Sequence, residues 1–551
     1  MKHSKAKFPM ILGPFILVLI TASTLKSDYF EINKQLEIFT QIFKEINLHY
    51  VDDQEPQVLM DAAINSMLET LDPFTNYIPE NYVEDFRSQS VGHYGGIGAL
   101  VRKKDDFVVV SSLHEGEAAD KAGLRIGDEI IEVEGLSTKN QSVDDVSRLL
   151  KGAPGTPVSL KIKREGKTQT LKFDRTDVRM KNVSHFAILE NGIGYIYLNN
   201  FAQRASDEVR EAFQTLKSQG LKDGLILDLR GNPGGLLSEA VNVSNLFIDK
   251  DLEVVSTKGK IKEAQAVYKT QFNPIDRDIP LVILINGNSA SASEIVAGVM
   301  QDLDRGLVVG ERSFGKGLVQ QTKPLSYGTQ LKFTIAKYYT PSGRCIQSIN
   351  YGERDEFGRV NAIPDSLRNM FKSKNGRVVK DGGGIDPDIE VIENDLPLVL
   401  LALIEKDVIF KYANQEFAQN PKKPFDPQQY TMTDTEYARF IKFANNHEFT
   451  FRTASEEILI KLQETVKYEK YTSLDSDIQK LTLKVTELKS NDLTLYSPQI
   501  KTWIGAEMAL RYSYERGQVM HNLRFDKTSK AAVEVLKVPE KYKQALNGNK
   551  L

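Results

Sequence analysis

Three serines lie within five residues in the segment 289–294, which reads Ser-Ala-Ser-Ala-Ser-Glu. The apolar run 281–285 and an Asn-Gly-Asn turn precede it, so we expect a buried strand before the serines and a helix from about Ser291 to Met300. A serine at a helix start lies beside free backbone N–H groups and positive potential, which can stabilise an oxyanion. Serine is also a favoured helix N-cap, and the segment taken alone favours capping.

A second candidate group is Lys316, which stands between two glycines. The stretch 310–317 nearly matches a phosphate-binding loop, but its last position is Gly317, so the hydroxyl that would bind magnesium is missing. This argues against nucleotide binding. The flanking glycines allow close backbone packing and let the amine point inward, where a neutral lysine could act as a base. A solvated loop lysine is the commoner alternative.

Composition excludes several other kinds of chemistry. The single cysteine, Cys345, rules out an internal disulfide and makes a cysteine-based metal site implausible. The seven histidines are scattered without a His-Glu-x-x-His pattern, so we expect neither a metal nor another cofactor. The net charge of −3 gives no indication of nucleic acid as a partner.

The first residues predict export. Lys2, Lys5 and Lys7 precede an apolar run from residue 8 to 22, the pattern of a signal peptide, although the run is short for a membrane span. We predict that residues 1–23 form either a cleaved signal peptide or an uncleaved anchor. A cysteine-poor exported chain suits a bacterial periplasm, where it would be soluble or anchored to the inner membrane.

The 551 residues exceed one hydrophobic core, and the pattern predicts a multidomain α+β protein. Residues 28–90 favour helices, residues 91–178 favour short strands, and residues 179–393 alternate strands with helices. Residues 394–551 are Lys/Glu-rich and helical, without recognisable chemistry, and we interpret them as an accessory domain. The two helical regions offer surfaces on which a homo-oligomer could assemble.

In the α/β region, the serine segment and the Gly-rich loop 230–235 both follow predicted strand ends. Binding and catalytic sites gather at the carboxyl ends of strands in such layers. We therefore expect the two loops to lie together.

Residues 91–178 resemble a PDZ domain of the kind found in bacterial proteases. The resemblance rests on Gly96-Ile97-Gly98 and on the run Ala118-Ala119, Ala122-Gly123-Leu124 and Gly127-Asp128. It implies that extended C-terminal peptides are captured by strand addition. The N–H groups of Gly96, Ile97 and Gly98 could then form a nest for the terminal carboxylate. An ordinary tight turn is the simpler role of these glycines.

Six further motifs resemble the C-terminal processing peptidases, also called tail-specific proteases. They occur in family order at residues 71–75, 227–235, 289–294, 315–320, 338–344 and 383–388. Two departures are Phe74, where the family often has histidine, and Cys345 after the Ser-Gly-Arg turn. Neither lies at a position that the family uses for catalysis.

The resemblance implies a crotonase-like core and assigns roles to individual residues. The family's nucleophile is the middle serine, here Ser291, and its general base follows 25 residues later, here Lys316. Its glutamine, four residues further on, corresponds to Gln320 and would orient the lysine. The oxyanion donors would be the N–H of Ala292 and that of a glycine in the pair Gly234-Gly235.

The function so implied is a serine endopeptidase that cuts proteins or peptides near accessible C-terminal tails. Its base must be neutral, and with an ordinary lysine pKa near 10.4 this costs about 4–5 kcal/mol at pH 7, so the site must be dry. One alternative is a catalytically inactive PDZ scaffold on a peptidase fold. Another is an acyl-transfer or hydratase enzyme on a crotonase-like core. The intact Ser, Lys and Gln argue against both.

Overall fold

The computed structural model of the protein describes residues 13–189, 192–356, 358–393, 395–447 and 449–548, with side chains from residue 29 onward except at residue 89. The first twelve residues of the predicted signal or anchor lie outside this set, so that prediction stays a prediction. Within the described ranges, we find no helix with the length and apolar character needed to span a bilayer. The chain divides into two units, one up to residue 78 together with 322–333, and one from 79 to 321 together with 334–551.

The first unit is mostly helical, as its sequence predicts. It contains α1 (Gly13–His49), α2 (Pro56–Glu69) and the short strand β1 (Asn76–Ile78). Pro56 stands at the first turn of α2, where a missing N–H costs nothing. After α2, the Asp72 side chain accepts hydrogen bonds from the Phe74 N–H and the Thr75 hydroxyl. These bonds close the turn into β1, which pairs antiparallel with residues 330–332.

The second unit begins with α3 (Glu80–Val91) and a compact β-rich region. Its elements are β2 (His93–Gly96), β3 (Ala99–Lys104), β4 (Phe107–Leu113), α4 (Ala118–Lys121), β5 (Glu129–Val133), β6 (Leu136–Ser137), α5 (Val143–Leu150), β7 (Pro157–Arg164), β8 (Lys167–Asp174) and β9 (Thr176–Arg179). The main sheet has the order β3-β4-β5-β7-β8, with β6 on β5, and β2 pairs with β9. Strand β3 therefore has one edge that no strand of the described residues covers.

The α/β region follows. Its strands are β10 (Val183–Ile188), β11 (Ile193–Leu198), β12 (Gly224–Asp228), β13 (Glu253–Gly259), β14 (Ala266–Lys269), β15 (Leu281–Ile285), β16 (Leu307–Gly310), β17 (Leu318–Pro324), β18 (Gln330–Tyr339), β19 (Met370–Lys372), β20 (Val378–Lys380) and β21 (Ile389–Glu390). Its helices are α6 (Ala205–Ser218), α7 (Leu237–Asn245) and α8 (Ala292–Asp302).

Six strands build the central sheet in the order β10-β11-β12-β15-β16-β21, parallel except for β10 against β11. The remaining strands pair antiparallel in β13–β14, β13–β18 and β19–β20, and β17 pairs with β18. Side chains of β12 alternate between the two faces, with Leu225 and Leu227 in the cluster that α6, α7 and α8 cover and Ile226 in the opposite cluster.

The C-terminal region is helical, as predicted. It consists of α9 (Leu398–Glu405), α10 (Val408–Gln419), α11 (Asp434–Asn446), α12 (Ala454–Glu469), α13 (Asp475–Ser490), α14 (Asp492–Leu495), α15 (Ser497–Leu523), α16 (Lys527–Leu536) and α17 (Pro539–Leu546). Helices α9, α10, α11 and α15 share a hydrophobic core.

The last two helices pack elsewhere. Ala532, Val535 and Leu536 of α16 and Tyr542 of α17 lie in the cluster on the second face of the central sheet. The sheet is therefore buried on both faces, as its near-continuous apolar strands require. The sequence pattern gave no indication of this packing, because α16 and α17 resemble the rest of the polar C-terminal region. The architecture confirms the predicted multidomain α+β class, with N-terminal helices, a compact β-rich domain, an α/β core and a helical C-terminal region.

Candidate active site

Ser291 lies at the junction between the turn that follows β15 and the first residue of α8. Its backbone has φ 55° and ψ −111°, outside the usual regions for a residue with a side chain. Strained backbone of this kind persists only where surrounding contacts enforce it, and it clusters at functional sites. Ser291 is half-buried, whereas Ser289 and Ser293 are fully buried.

The two neighbouring serines have structural contacts. The Ser289 hydroxyl donates to the carbonyl of Leu229 at 2.8 Å and accepts from the Asn286 N–H at 3.0 Å. The Ser293 hydroxyl donates to the carbonyl of Asn232 at 2.9 Å. The bonds to Leu229 and Asn232 connect the serine segment to the end of the neighbouring strand and to the Gly-rich loop. Of the three serines, only Ser291 is partly accessible, which agrees with its predicted role as nucleophile.

A buried carboxylate connects the serine segment to the lysine loop. Glu294 has no exposed surface and accepts four hydrogen bonds. One oxygen, Oε2, accepts from the N–H of Ser291 at 2.8 Å and from the N–H of Lys316 at 2.9 Å. The two backbone nitrogens can thus be no farther apart than the sum of these two distances. The other oxygen accepts from the Ser313 hydroxyl at 2.5 Å and the Gly315 N–H at 2.7 Å.

Burial raises the pKa of the Glu294 carboxyl, and its hydrogen bonds from Ser313, Gly315, Lys316 and Ser291 act against that rise. Glu294 was not predicted as a site residue. A signal was present, since Ser291 and Glu294 have the spacing of a capping box, in which an acidic residue at the third helical position bonds the N-cap N–H. The sequence could not show that the same carboxylate also holds a second loop.

Lys316 is half-buried, and the glycines on either side of it are required by close contacts. Gly315 has φ 87°, and a Cβ there would lie 2.5 Å from the Cβ of Ser348. A Cβ on Gly317 would lie 2.8 Å from the Gln347 nitrogen. The sequence predicted that these glycines allow close backbone packing around the lysine, and the structure shows that packing.

Gln320 lies on β17, and its side-chain nitrogen donates to the Thr334 hydroxyl of β18 at 3.2 Å. This bond fixes the plane of the amide. The expected hydrogen bond from Gln320 to the Lys316 amine stays a prediction.

The Gly-rich loop between β12 and α7 lies against the serine segment, as the sequence predicts. A Cβ on Gly234 would lie 2.8 Å from the Ser291 Cβ and 2.9 Å from the Ala292 nitrogen, so only glycine fits. The Gly234 N–H donates to the Asn232 side chain at 2.8 Å, whereas we find no acceptor for the Gly235 N–H within the described residues. Ala292 is the first residue of α8, where the N–H has no intrahelical acceptor.

Two further contacts support Ser291 and the far end of α8. The Tyr338 hydroxyl donates to the Ser291 carbonyl at 3.2 Å, and burial together with the Glu294 charge raises the pKa of this tyrosine. Arg344 is fully buried and bonds Asp302, the last residue of α8, at 2.8 Å. These contacts explain the motif at 338–344, whose residues position α8 from both ends.

The predicted peptide-binding residues lie at one end of the PDZ domain. Gly96 is the last residue of β2, and Ile97 and Gly98 connect it to β3. Gly98 has φ 76°, and a Cβ there would lie 2.4 Å from the Cβ of Glu117. The carbonyls of Ile97 and Gly98 accept from Ala119 and His114, but their N–H groups have no acceptor that we can find in the described part of the chain.

Comparison with known families and proteins agrees with these observations. The family model described as peptidase family S41 matches residues 192–352, a PDZ domain model matches 109–164, and a model for the C-terminal helical domain of a probable PDZ-protease matches 399–536. A carboxy-terminal-processing protease of Bartonella bacilliformis is 36% identical over 338 residues, which cover 60% of this chain and 77% of that protein.

Two further relatives extend the comparison. A probable CtpA-like serine protease of Staphylococcus aureus (strain N315) is 34% identical over 368 residues, covering 65% of this chain and 72% of that protein. The solved structure of the photosystem II D1 C-terminal processing protease is 30% identical, covers 64% of this chain and 87% of that one, and superposes with a TM-score of 0.36. From the identity and coverage of the Bartonella and Staphylococcus proteins, together with the matched domains, this chain belongs to the PDZ-containing C-terminal processing peptidases, a family of serine proteases.

Proposed function

We propose that this protein is a serine endopeptidase that uses Ser291 as nucleophile and Lys316 as general base to cut proteins near their C-terminal tails. The observation that carries the proposal is the pair of hydrogen bonds from the Ser291 and Lys316 backbones to one oxygen of Glu294. Residues 25 positions apart in the sequence are thereby held side by side. A nucleophile and its base need their side chains within hydrogen-bonding reach, and backbones held this close allow that contact.

In this mechanism the neutral Lys316 amine takes the proton of the Ser291 hydroxyl as Oγ bonds to the substrate carbonyl carbon. The negative charge that develops on the carbonyl oxygen is stabilised by N–H donors of Ala292 and of the glycine pair. Between Gly234 and Gly235, the uncommitted N–H favours Gly235. The protonated lysine then gives its proton to the leaving amine, which leaves an acyl-enzyme on Ser291.

Water completes the cycle by the reverse proton path. Lys316 takes a proton from water, the hydroxide attacks the ester carbon, and Ser291 recovers its proton as the tail-free product leaves. Lysine is a base only when it is neutral, and removal of water favours that form. Because Lys316 is half-buried here, we assign the rest of its desolvation to the bound substrate. Gln320 would orient the amine through its side-chain oxygen.

The PDZ domain supplies the recognition of chain ends in this proposal. A substrate tail would add to the uncovered edge of β3, and its terminal carboxylate would accept from the N–H groups of Ile97 and Gly98. With the predicted export signal, substrates would be proteins of the bacterial periplasm, met by an enzyme that is soluble there or anchored to the inner membrane. An assembly of identical subunits is compatible with this scheme.

The experiment compares three alanine variants on a substrate with an unstructured C-terminal tail. We expect Ser291→Ala and Lys316→Ala to abolish cleavage, whereas Ser293→Ala keeps most of it. Ser293 is a matched control because it lies two residues from Ser291, and its acceptor, the Asn232 carbonyl, keeps the Ala290 N–H as a donor. Undiminished turnover in Ser291→Ala would refute the assignment. Tail binding without cleavage by the unmodified protein would favour the inactive scaffold.

A further inference from the structure

The Arg230 guanidinium forms ion pairs with two carboxylates, Asp228 and Asp526, that lie almost 300 residues apart in the sequence. Arg230 is the first residue of the Gly-rich loop, two residues after the end of β12. Its Nε donates to Asp228 Oδ1 at 3.0 Å, and its Nη2 donates to Asp228 Oδ2 at 2.6 Å. On the other side, Nη1 donates to Asp526 Oδ1 at 2.9 Å, and Nη2 also contacts Asp526 Oδ2. All three side chains are largely buried.

Asp526 is itself held in place by the helix that it caps. Its Oδ1 accepts from the N–H groups of Thr528 and Ser529 at 2.9 and 3.1 Å, and its Oδ2 accepts from the Ser529 hydroxyl at 2.6 Å. Helix α16 in turn packs on the central sheet. There Leu536 lies so close to Gly224 that a Cβ on Gly224 would lie 2.8 Å from the Leu536 side chain. The carboxylate is therefore fixed relative to β12, the strand that carries the loop.

The loop leads directly from this ion pair to the candidate oxyanion donors. The Arg230 N–H donates to Asp228 at 2.9 Å, and the Gly231 N–H donates to the Asn286 side chain at 3.0 Å. Next, Asn232 accepts from the Gly234 N–H and, through its carbonyl, from the Ala290 N–H. Every residue from 230 to 232 is thus anchored, and Asp526 supplies the anchor that comes from the C-terminal region.

We propose that Asp526 is a positioning residue of the peptidase site, acting through Arg230 to fix the loop that carries Gly234 and Gly235. The C-terminal helical region is then part of the catalytic apparatus and is more than an accessory domain. This inference rests on the proposed peptidase function and names a residue outside the Ser, Lys and Gln set. A loop displaced by 1 Å in an active site can lower the rate about 100-fold, so a missing anchor has a measurable effect.

A purely structural role of Asp526, as the cap of α16, makes a different prediction. Asn caps helices about as well as Asp, so Asp526→Asn keeps the cap and removes the negative charge that pairs with Arg230. A cap role predicts nearly unchanged kinetics for this variant. The positioning role predicts a lower kcat, an unchanged KM and weaker inhibition by a peptide aldehyde, whose adduct with Ser291 places an oxyanion against the loop.

The experiment measures kcat, KM, aldehyde inhibition and the melting temperature of the full-length protein and its variants. We expect Asp526→Asn to lower kcat about 10- to 100-fold, to raise the aldehyde inhibition constant by a similar factor and to leave KM within about twofold. Thr528→Val is the matched control, since it changes the same helical turn and the hydroxyl contact to Glu393 without touching Arg230.

A double-mutant cycle keeps the result interpretable. If Asp526 acts through Arg230, Asp526→Asn should add little to the loss caused by Arg230→Gln, because the two changes remove one interaction. An unchanged kcat in Asp526→Asn, or fully additive losses in the double variant, would overturn the inference. Neither outcome would affect the assignment of Ser291 and Lys316, which the alanine variants test separately.

Discussion

The substitution Glu294→Gln tests the connection between the serine segment and the lysine loop. The amide of glutamine has nearly the shape of the carboxylate, but its NH₂ group must face one of two pairs of donors. Facing Ser291 and Lys316, it would leave two backbone N–H groups without an acceptor. Facing Ser313 and Gly315, it would leave one, because the Ser313 hydroxyl can rotate and accept. We expect the second orientation.

The loss of stability in Glu294→Gln follows from the number of N–H groups left without an acceptor. One buried N–H without an acceptor costs about 1–3 kcal/mol, and removal of a buried charge offsets part of it. We therefore expect Glu294→Gln to lower the local stability of the lysine loop by about 1–3 kcal/mol. In Glu294→Ala the N–H groups of Ser291, Gly315 and Lys316 all lose their acceptor, which costs about 3–9 kcal/mol. That range approaches the whole stability of many proteins, so the glutamine variant is the informative one.

Hydrogen exchange measured by mass spectrometry reports this local stability directly. A loss of 1–3 kcal/mol corresponds to exchange about 5- to 150-fold faster in peptides that cover residues 312–319. Peptides around Ser291 should keep most of their protection, and kcat should fall less than in Ser291→Ala. Glu211→Gln is the control, since Glu211 is 68% exposed on α6. Unchanged exchange of the lysine loop in Glu294→Gln would refute this account of how the two loops are joined.

Two further predictions concern the chain end of the substrate and the effect of pH. A substrate whose C-terminus is amidated should show a higher KM with little change in kcat, because the N–H groups of Ile97 and Gly98 lose their carboxylate acceptor. Equal KM values for the amidated and the free tail would contradict capture of the tail by the PDZ domain. Burial alone would raise the pKa of Asp526, but the hydrogen bonds and charge of Arg230 outweigh it and hold that pKa below its usual value. An acid with a lowered pKa stabilises the fold above its unfolded pKa, about 3.9, and loses that contribution as the pH falls through the folded pKa. The unmodified protein should therefore melt at a higher temperature than Asp526→Asn by an amount that is constant near neutrality and shrinks below about pH 4. A difference in melting temperature that persists at lower pH would contradict a stabilising ion pair between Asp526 and Arg230.

The fold and the candidate site residues could be predicted from the sequence largely because they depend on local pattern and on the order of short motifs. Period-2 and apolar strand segments, glycines at forced turns and helical spacing depend on neighbouring residues, so they predict a β-rich region, an α/β core and a helical C-terminal region. The β-rich region was identified as a PDZ domain by its resemblance to that family. The order of motifs around Ser291 and Lys316 likewise belongs to the sequence. The three alternate serines could not be ranked by chemistry alone, since each can cap a helix.

Tertiary structure decided which groups meet. Whether a serine is buried and bonded, as Ser289 and Ser293 are, or accessible, as Ser291 is, depends on the loop packed against it. The sequence by itself identified a candidate nucleophile and a candidate base and assigned both to the α/β region. Only the folded chain brought Glu294 between them and Asp526 to Arg230, because hydrogen bonds and ion pairs act over about 3 Å whatever the separation along the chain.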